Sequence, residues 1–218
     1  MTRDWDLRAD ELSGEAIGRG EPTAWFDRLY AEGAAGAVGM PWDRTAPHPL
    51  LAEWTAARAP GGSGGRAVVV GCGLGADAAH LARLGFDTVG FDISETAVGI
   101  ARERHAGTGA DFRVVDLLDL PEELVGGFDL VVEIFTLQAI PDPPRTQAAA
   151  AVRSLVADGG TLLAIAFRPD GARPLDQGPP FPLPRETMTG LATDGLTLVA
   201  LEEAADPGGA RWRAEYRR

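Results

Sequence analysis

The sequence predicts an α/β fold in which a mostly parallel sheet carries helices on both faces, and three observations point to it. A β-branched run, Val68-Val69-Val70, enters the glycine turn Gly71-Cys72-Gly73-Leu74-Gly75 and leaves it with helical apolar spacing at Leu74, Ala78, Leu81, Ala82 and Leu84. Short apolar runs and helical stretches then alternate as far as Phe167. Acids close three of those runs: Asp92 the second, Asp116 the third and Glu133 the fourth. The length of 218 residues fits one domain of moderate size with room for a full core.

Met1 to Gly65 reads as a separate arm. Within Pro22 to Glu32, Trp25, Phe26, Leu29 and Tyr30 share a helical face, and a loop pinned by Pro41 and Pro47 follows around Trp42. A second helix carries Leu50, Leu51 and Trp54. Such a helix can simply cover a sheet edge, but an aromatic in a pinned loop often caps a ligand site. The arm is therefore expected to be a lid, with GGSGG at 61–65 as its hinge.

Residues 66–218 are expected to form one compact unit. After the first strand, turn and helix, Gly85 stops the helix and Thr88 to Phe91 forms the second strand. Ser94 caps a helix reaching His105, and Phe112 to Val115 and Phe128 to Val132 are strands three and four. A helix ending in the turn Ala157-Asp158-Gly159-Gly160 leads to a fifth strand, Gly160 to Phe167. The proline-rich loop 173–184 precedes a helix near Pro184 to Thr193 and a strand at Leu196 to Leu201. Asp206-Pro207-Gly208-Gly209 then turns the chain into Arg211 to Arg217, whose alternation suits an antiparallel edge strand.

Composition narrows the chemistry. With 20 Lys+Arg against 32 Asp+Glu, the net charge of −12 opposes binding to a nucleic-acid backbone or an anionic membrane. No segment approaches the roughly 20 apolar residues of a membrane span, so a cytoplasmic protein is expected. Every basic residue is Arg, which excludes a Walker-type phosphate loop, a Schiff base and a Tyr/Lys dehydrogenase pair. The single cysteine, Cys72, forms no disulfide within the chain and reads as a small buried filler. His48, His80 and His105 are scattered without metal-ligand spacing, and no metal is expected.

Glycines at 71, 73 and 75 let the backbone approach a ligand at the strand end, and Asp92 can accept from both hydroxyls of a ribose. This constellation names a ribose-containing cofactor and no more. Two readings from other classes share it: a nicotinamide-dependent dehydrogenase, which leaves Asp116 and the closing hairpin unexplained, and a non-catalytic cofactor-binding module, which needs no aromatic lid. Since strand ends line the ligand crevice of open α/β sheets, Asp92, Asp116 and Glu133 are expected to converge on one site.

GCGLGAD at 71–77, FDIS at 91–94, VVDLLDLP at 114–121, FDLVVEIF at 128–135 and the final hairpin resemble the class I S-adenosylmethionine-dependent methyltransferases. FDRLYAEG with MPWD in the arm, Glu133 followed by TLQAI, and GPPF after strand five are similar to the thiopurine S-methyltransferase group, which includes thiol and halide methyltransferases. The resemblance implies a Rossmann-like seven-stranded mostly parallel sheet with an antiparallel C-terminal hairpin strand and an N-terminal helical lid. It implies S-adenosylmethionine as cofactor, with Gly71, Cys72 and Gly73 on the methionine part and Asp92 on the ribose. Asp116 would accept from the adenine amino group and the N–H of Leu117 would reach a ring nitrogen, and Gly75, Asp77 and Ile93 complete the cofactor set. Phe26, Tyr30, Trp42, Phe135 and Phe181 would surround a small-molecule acceptor. Ile134 departs from the group, where Arg or an aromatic often follows the strand-four acid.

The expected activity is methyl transfer to a small thiol, with halide, tellurite or selenite, hydroxyl and amine acceptors as alternatives. Glu133 is the candidate to orient the acceptor or take a proton, and otherwise serves the cofactor. A monomer, or a homodimer, is expected.

Overall fold

The computed structural model describes residues 4–58, 64–171 and 174–218. Of the expected hinge only Gly64 and Gly65 fall among them, and the first residue of the proline-rich loop, Arg173, lies outside. The chain runs α1 (Asp4–Gly18), α2 (Trp25–Ala34), α3 (Pro49–Arg58), β1 (Arg66–Val70), α4 (Ala76–Arg83), β2 (Asp87–Asp92), α5 (Glu95–Arg104), β3 (Asp111–Val114), β4 (Phe128–Ile134), α6 (Pro144–Ser154), β5 (Val156–Phe167), α7 (Arg185–Gly190), β6 (Thr197–Asp206) and β7 (Gly209–Arg217). Short 3₁₀ turns lie at Leu117–Asp119, Glu122–Leu124 and Leu137–Ala139.

The seven strands form one sheet in the order β3-β2-β1-β4-β5-β7-β6. Neighbours among β1 to β5 pair in parallel, while β7 runs antiparallel to both β5 and β6. The expectation of a final edge strand is thus corrected: β7 is internal and β6 is the edge. The alternation in β7 misleads because both of its faces are covered. Trp212, Ala214 and Tyr216 are buried in one core layer. On the other face Glu215 is buried beneath α3, accepting from Trp54 Nε1 at 3.0 Å and pairing with Arg58.

The β-branched and aliphatic residues of the central strands feed two cores. Val68, Val70, Leu162 and Ala164 pack with Ala148 and Val152 of α6 and Met188 of α7. Ala67, Val69, Val132, Leu163 and Ile165 pack with α3, α4 and α5. Leu51 of α3 is fully buried there, a contribution of about 1.5–3 kcal/mol by apolar burial. Within the expected 1–65 arm, α3 packs against the sheet, while α1 and α2 pack on one another. The expected turn at 157–160 sits inside β5 as a register shift, with Phe128 opposite Val156 but Leu130 opposite Thr161.

One element was not anticipated. Trp5, Ala9, Leu12 and Ala16 of α1 fall on one helical face and are buried against Trp25 and Leu29 of α2. Asp27 of α2 then fastens this pair to the start of α5, its Oδ1 accepting from Ser94 Oγ at 2.7 Å and Thr96 N at 3.0 Å. Ser94 caps α5 as expected, accepting from Ala97 N. Among the described residues no helix is long and apolar enough to cross a membrane, and no group of side chains is arranged to hold a metal ion.

Candidate functional site

Parallel strands whose helices cross over on both faces leave a crevice at their carboxyl ends. Here that crevice is a cavity of about 1110 Å³, roofed by α1, α2 and the loop that follows them. Its floor is the glycine turn. Gly71, Gly73 and Gly75 have φ of +58°, +51° and +88°, and a Cβ on Gly73 would stand 2.8 Å from the Tyr30 hydroxyl. Only glycine combines that conformation with that approach.

Asp92, at the end of β2, turns its carboxylate toward the same turn. One oxygen accepts from Gly73 N at 2.9 Å and the other from Ser94 N at 3.0 Å, while burial pushes its pKa up against those hydrogen bonds. Each oxygen keeps acceptor capacity for a further donor. Asp116 follows β3, its Oδ1 accepting from Leu118 N at 2.8 Å, and Leu117 and Ile93 line the wall between the two acids. Burial pushes the Cys72 thiol well up, as befits a filler.

The roof is aromatic. Trp42 (φ +50°) packs its ring 5.1 Å from Trp5, 5.6 Å from Tyr30 and 6.1 Å from Trp25, and Phe26 stacks on Trp25 at 4.0 Å. Beyond Trp42 the loop is moored on Asp77 of α4, which accepts from Arg44 Nη2 at 2.8 Å and from the His48 backbone N–H at 2.6 Å. Arg44 Nη1 is buried without a hydrogen-bond partner.

At the β4–β5–β7 end the lining changes to Phe135, Phe167, Pro179, Pro180, Pro182 and Arg211. Phe135 (φ +67°) has its ring 5.2 Å from that of His48 and 4.9 Å from that of Phe167. Among the described residues, two of the three non-glycine residues with positive φ, Trp42 and Phe135, thus line this cavity. Each costs on the order of 1–3 kcal/mol in backbone strain, which persists where the surroundings over-determine it. The Arg211 guanidinium lies 4.1 Å from the centre of the Phe167 ring and is held by Asp206, through Nε at 3.0 Å and Nη2 at 2.8 Å. His48 Nε2 meets the same carboxylate at 3.1 Å, and its Nδ1 accepts from Leu50 N at 3.2 Å.

The structure brings Gly71, Cys72, Gly73, Gly75, Asp77, Asp92, Ile93, Asp116, Leu117, Phe26, Tyr30, Trp42 and Phe135 together around the cavity. It turns two expected residues away. Glu133 is 1 % exposed and faces the core beneath the floor, where Oε1 accepts from Thr136 N at 2.7 Å and Leu137 N at 2.9 Å. Strand alternation explains this: Glu133 shares the face of Val131, whereas Ile134 points to the opposite face and Phe135, past the end of β4 at φ +67°, is turned into the cavity. Phe181 is buried beside the Arg145 guanidinium, 5.0 Å from its ring centre, and leaves the neighbouring prolines to line the wall. Tyr30 stands over Gly73, at the glycine-turn end of the cavity. Arg44, His48, Phe167, Asp206 and Arg211 escaped the sequence reading, because nothing in their spacing shows that an arm loop and a hairpin turn meet.

An acid at each of two neighbouring strand ends, a glycine floor and an aromatic roof on this strand order define a class I S-adenosylmethionine-dependent methyltransferase. The profile of the thiopurine S-methyltransferase family matches residues 33–215. The chain belongs to that family, whose methyl donor is S-adenosylmethionine. The ubiquinone biosynthesis O-methyltransferase of Xanthomonas axonopodis pv. citri (strain 306) is 34% identical over 130 residues, 56% of this chain and 53% of that one. The chain spans about half the length of the curated relatives it matches. Among solved structures, one from work on conversion of a disulfide bond into a thioacetal group during echinomycin biosynthesis aligns with a TM-score of 0.74 and 24% identity, covering 90% of this chain and 91% of that one. Magnesium protoporphyrin IX methyltransferase from Synechocystis PCC 6803 with bound S-adenosylmethionine aligns with a TM-score of 0.62 and 19% identity, covering 100% and 98%.

Proposed function

We propose that the protein transfers the methyl group of S-adenosylmethionine to a small, mostly apolar thiol. The residues present fit the donor: Gly71, Cys72 and Gly73 would take its methionine part, Asp92 the ribose hydroxyls, and Asp116 with the Leu117 N–H the adenine edge. The unpartnered Arg44 Nη1 suits the donor's carboxylate. Bound S-adenosylmethionine supplies an electrophilic methyl group on a sulfonium. The chain's residues then hold the acceptor in line with it under the aromatic roof and keep water out.

The observation that carries the thiol reading is the engagement of the bases nearest the β4–β5–β7 end. His48 has both ring nitrogens occupied, Asp206 is shared by Arg211 and His48, and Glu133 lies outside the lining. An acceptor received there arrives already ionised, as a thiol near its own pKa of about 8.5, or lower for an aromatic thiol, can do. The O-methyltransferase relatives support a second reading, a hydroxyl acceptor. That chemistry asks His48 to leave one of its two partners and take the proton. Incubation with labelled S-adenosylmethionine and a panel of thiols, phenols and amines tests both: label on thiols with a rate that rises with pH and levels off at each thiol's pKa supports the first, and label on phenols alone overturns it.

A further inference from the structure

His48 touches two carboxylates of the cavity lining, Asp77 and Asp206. Its backbone N–H is on Asp77, beside the glycine turn, and its ring is on Asp206, the last residue of β6 before the turn into β7. The ring also fixes its own tautomer. Leu50 N–H points at Nδ1, so Nδ1 is the bare acceptor and the proton sits on Nε2, directed at Asp206. The other charges around the ring are Arg44, Asp77 and Arg211, and burial holds the imidazole on the neutral side of its ordinary titration. Asp206 in turn holds Arg211 over the Phe167 ring and 5.3 Å from the Phe135 ring centre, and His48 itself abuts Phe135 edge-on.

We propose that His48 is a positioning residue for the methyl acceptor: by bridging Asp77 to Asp206 it fixes Arg211 and Phe135 as one wall of the acceptor end, so that the arm loop and the hairpin turn act as a single unit. The proposal rests on the acceptor occupying the β4–β5–β7 end.

His48 also precedes α3 and satisfies its second N–H, with Pro49 at the first helical position, so a substitution could act through the helix alone. Two conservative variants separate these roles. In His48→Asn the shorter side chain can still accept from Leu50 N–H but does not reach Asp206. In His48→Gln a donor can reach Asp206 while the cap is lost.

With thiophenol as acceptor, KM should rise about ten-fold or more in His48→Asn, in keeping with loss of one hydrogen bond to a charged group. In His48→Gln it should stay within about three-fold of wild type, as should the affinity of both variants for S-adenosylhomocysteine. Equal KM in Asn and wild type, or an equal rise in Asn and Gln, overturns the proposal. Should the wild-type protein methylate no thiol, the substrate reading falls separately. Hydrogen exchange of residues 135–138 and 206–212 with S-adenosylhomocysteine present then decides: loosening in Asn but not in Gln supports the bridge, and identical protection in both overturns it.

Discussion

Replacing Glu133 by Gln separates a support beneath the site from a base within it. The carboxyl is buried and holds the Thr136 and Leu137 N–H groups through one oxygen, and burial pushes its pKa from 4.5 up to about 7, against the pull of those two hydrogen bonds. The folded protein therefore binds the proton more tightly than the unfolded chain. The stability tied to the protonated acid is fully present below pH 4.5 and is lost as pH rises through about 7. At 1.36 kcal/mol per pKa unit the whole effect is about 3 kcal/mol, of which about 2 kcal/mol falls between pH 5.5 and 8. Glutamine can accept both N–H bonds and cannot ionise. The variant should accordingly gain about 2 kcal/mol on the wild type between pH 5.5 and 8, read as roughly 4–8 °C in relative Tm. Urea unfolding of both proteins at the two pH values measures it. A gap that does not change with pH would refute the raised pKa, and a loss of turnover at pH 8 beyond about 100-fold, with the fold intact, would make Glu133 a proton acceptor after all.

Three further expectations concern the cofactor end and the roof. Asp92→Ala should weaken S-adenosylhomocysteine binding by about 1.5–3 kcal/mol, the range for hydrogen bonds to a charged group, and calorimetry should show no binding of NAD to either protein. Gly73→Ala should lower affinity for the same ligand, since its Cβ would meet the Tyr30 hydroxyl at 2.8 Å; adding Tyr30→Phe should restore part of it, and no restoration would place the strain in the φ of +51° alone. Asp27→Ala should speed hydrogen exchange in α2 while leaving β1 and β4 unchanged, because Asp27 joins α2 to the start of α5. Hydrogen bonds from Ser94 and Thr96 outweigh partial burial and hold the Asp27 pKa below 3.8, so the same loosening should appear in the wild type as pH falls through that lowered value.

Much of the fold was legible because each core strand announces itself twice, by an apolar run and by the turn or cap that ends it. Val68 to Val70 followed by glycines, and Ser94 before α5, are local signals with local causes. α1 was missed because its buried face is built from Trp5, Ala9, Leu12 and Ala16, two of them alanines set among acids. The acids at the ends of β2 and β3 were readable from position. The direction of Glu133 was not, since one step along a strand reverses a side chain and the register against β1 and β5 decides which face is the cavity. His48, Asp206 and Arg211 were invisible for a different reason: they are far apart in the chain, and only the placing of β7 inside the sheet brings the hairpin turn to the arm.

That placing also governs assembly. β6 precedes β7 in the chain, yet it touches the sheet only through β7. Until residues 209–217 are in place, β5 presents an unsatisfied ladder of backbone groups and β6 has nothing to join, so both of these pairings must wait for β7. A chain cut before Gly209 loses an interior strand and strands its neighbour, exposing the flank of β5 to pairing with another molecule. A chain in that form keeps the glycine turn and Asp92 but lacks Arg211 of the cavity lining.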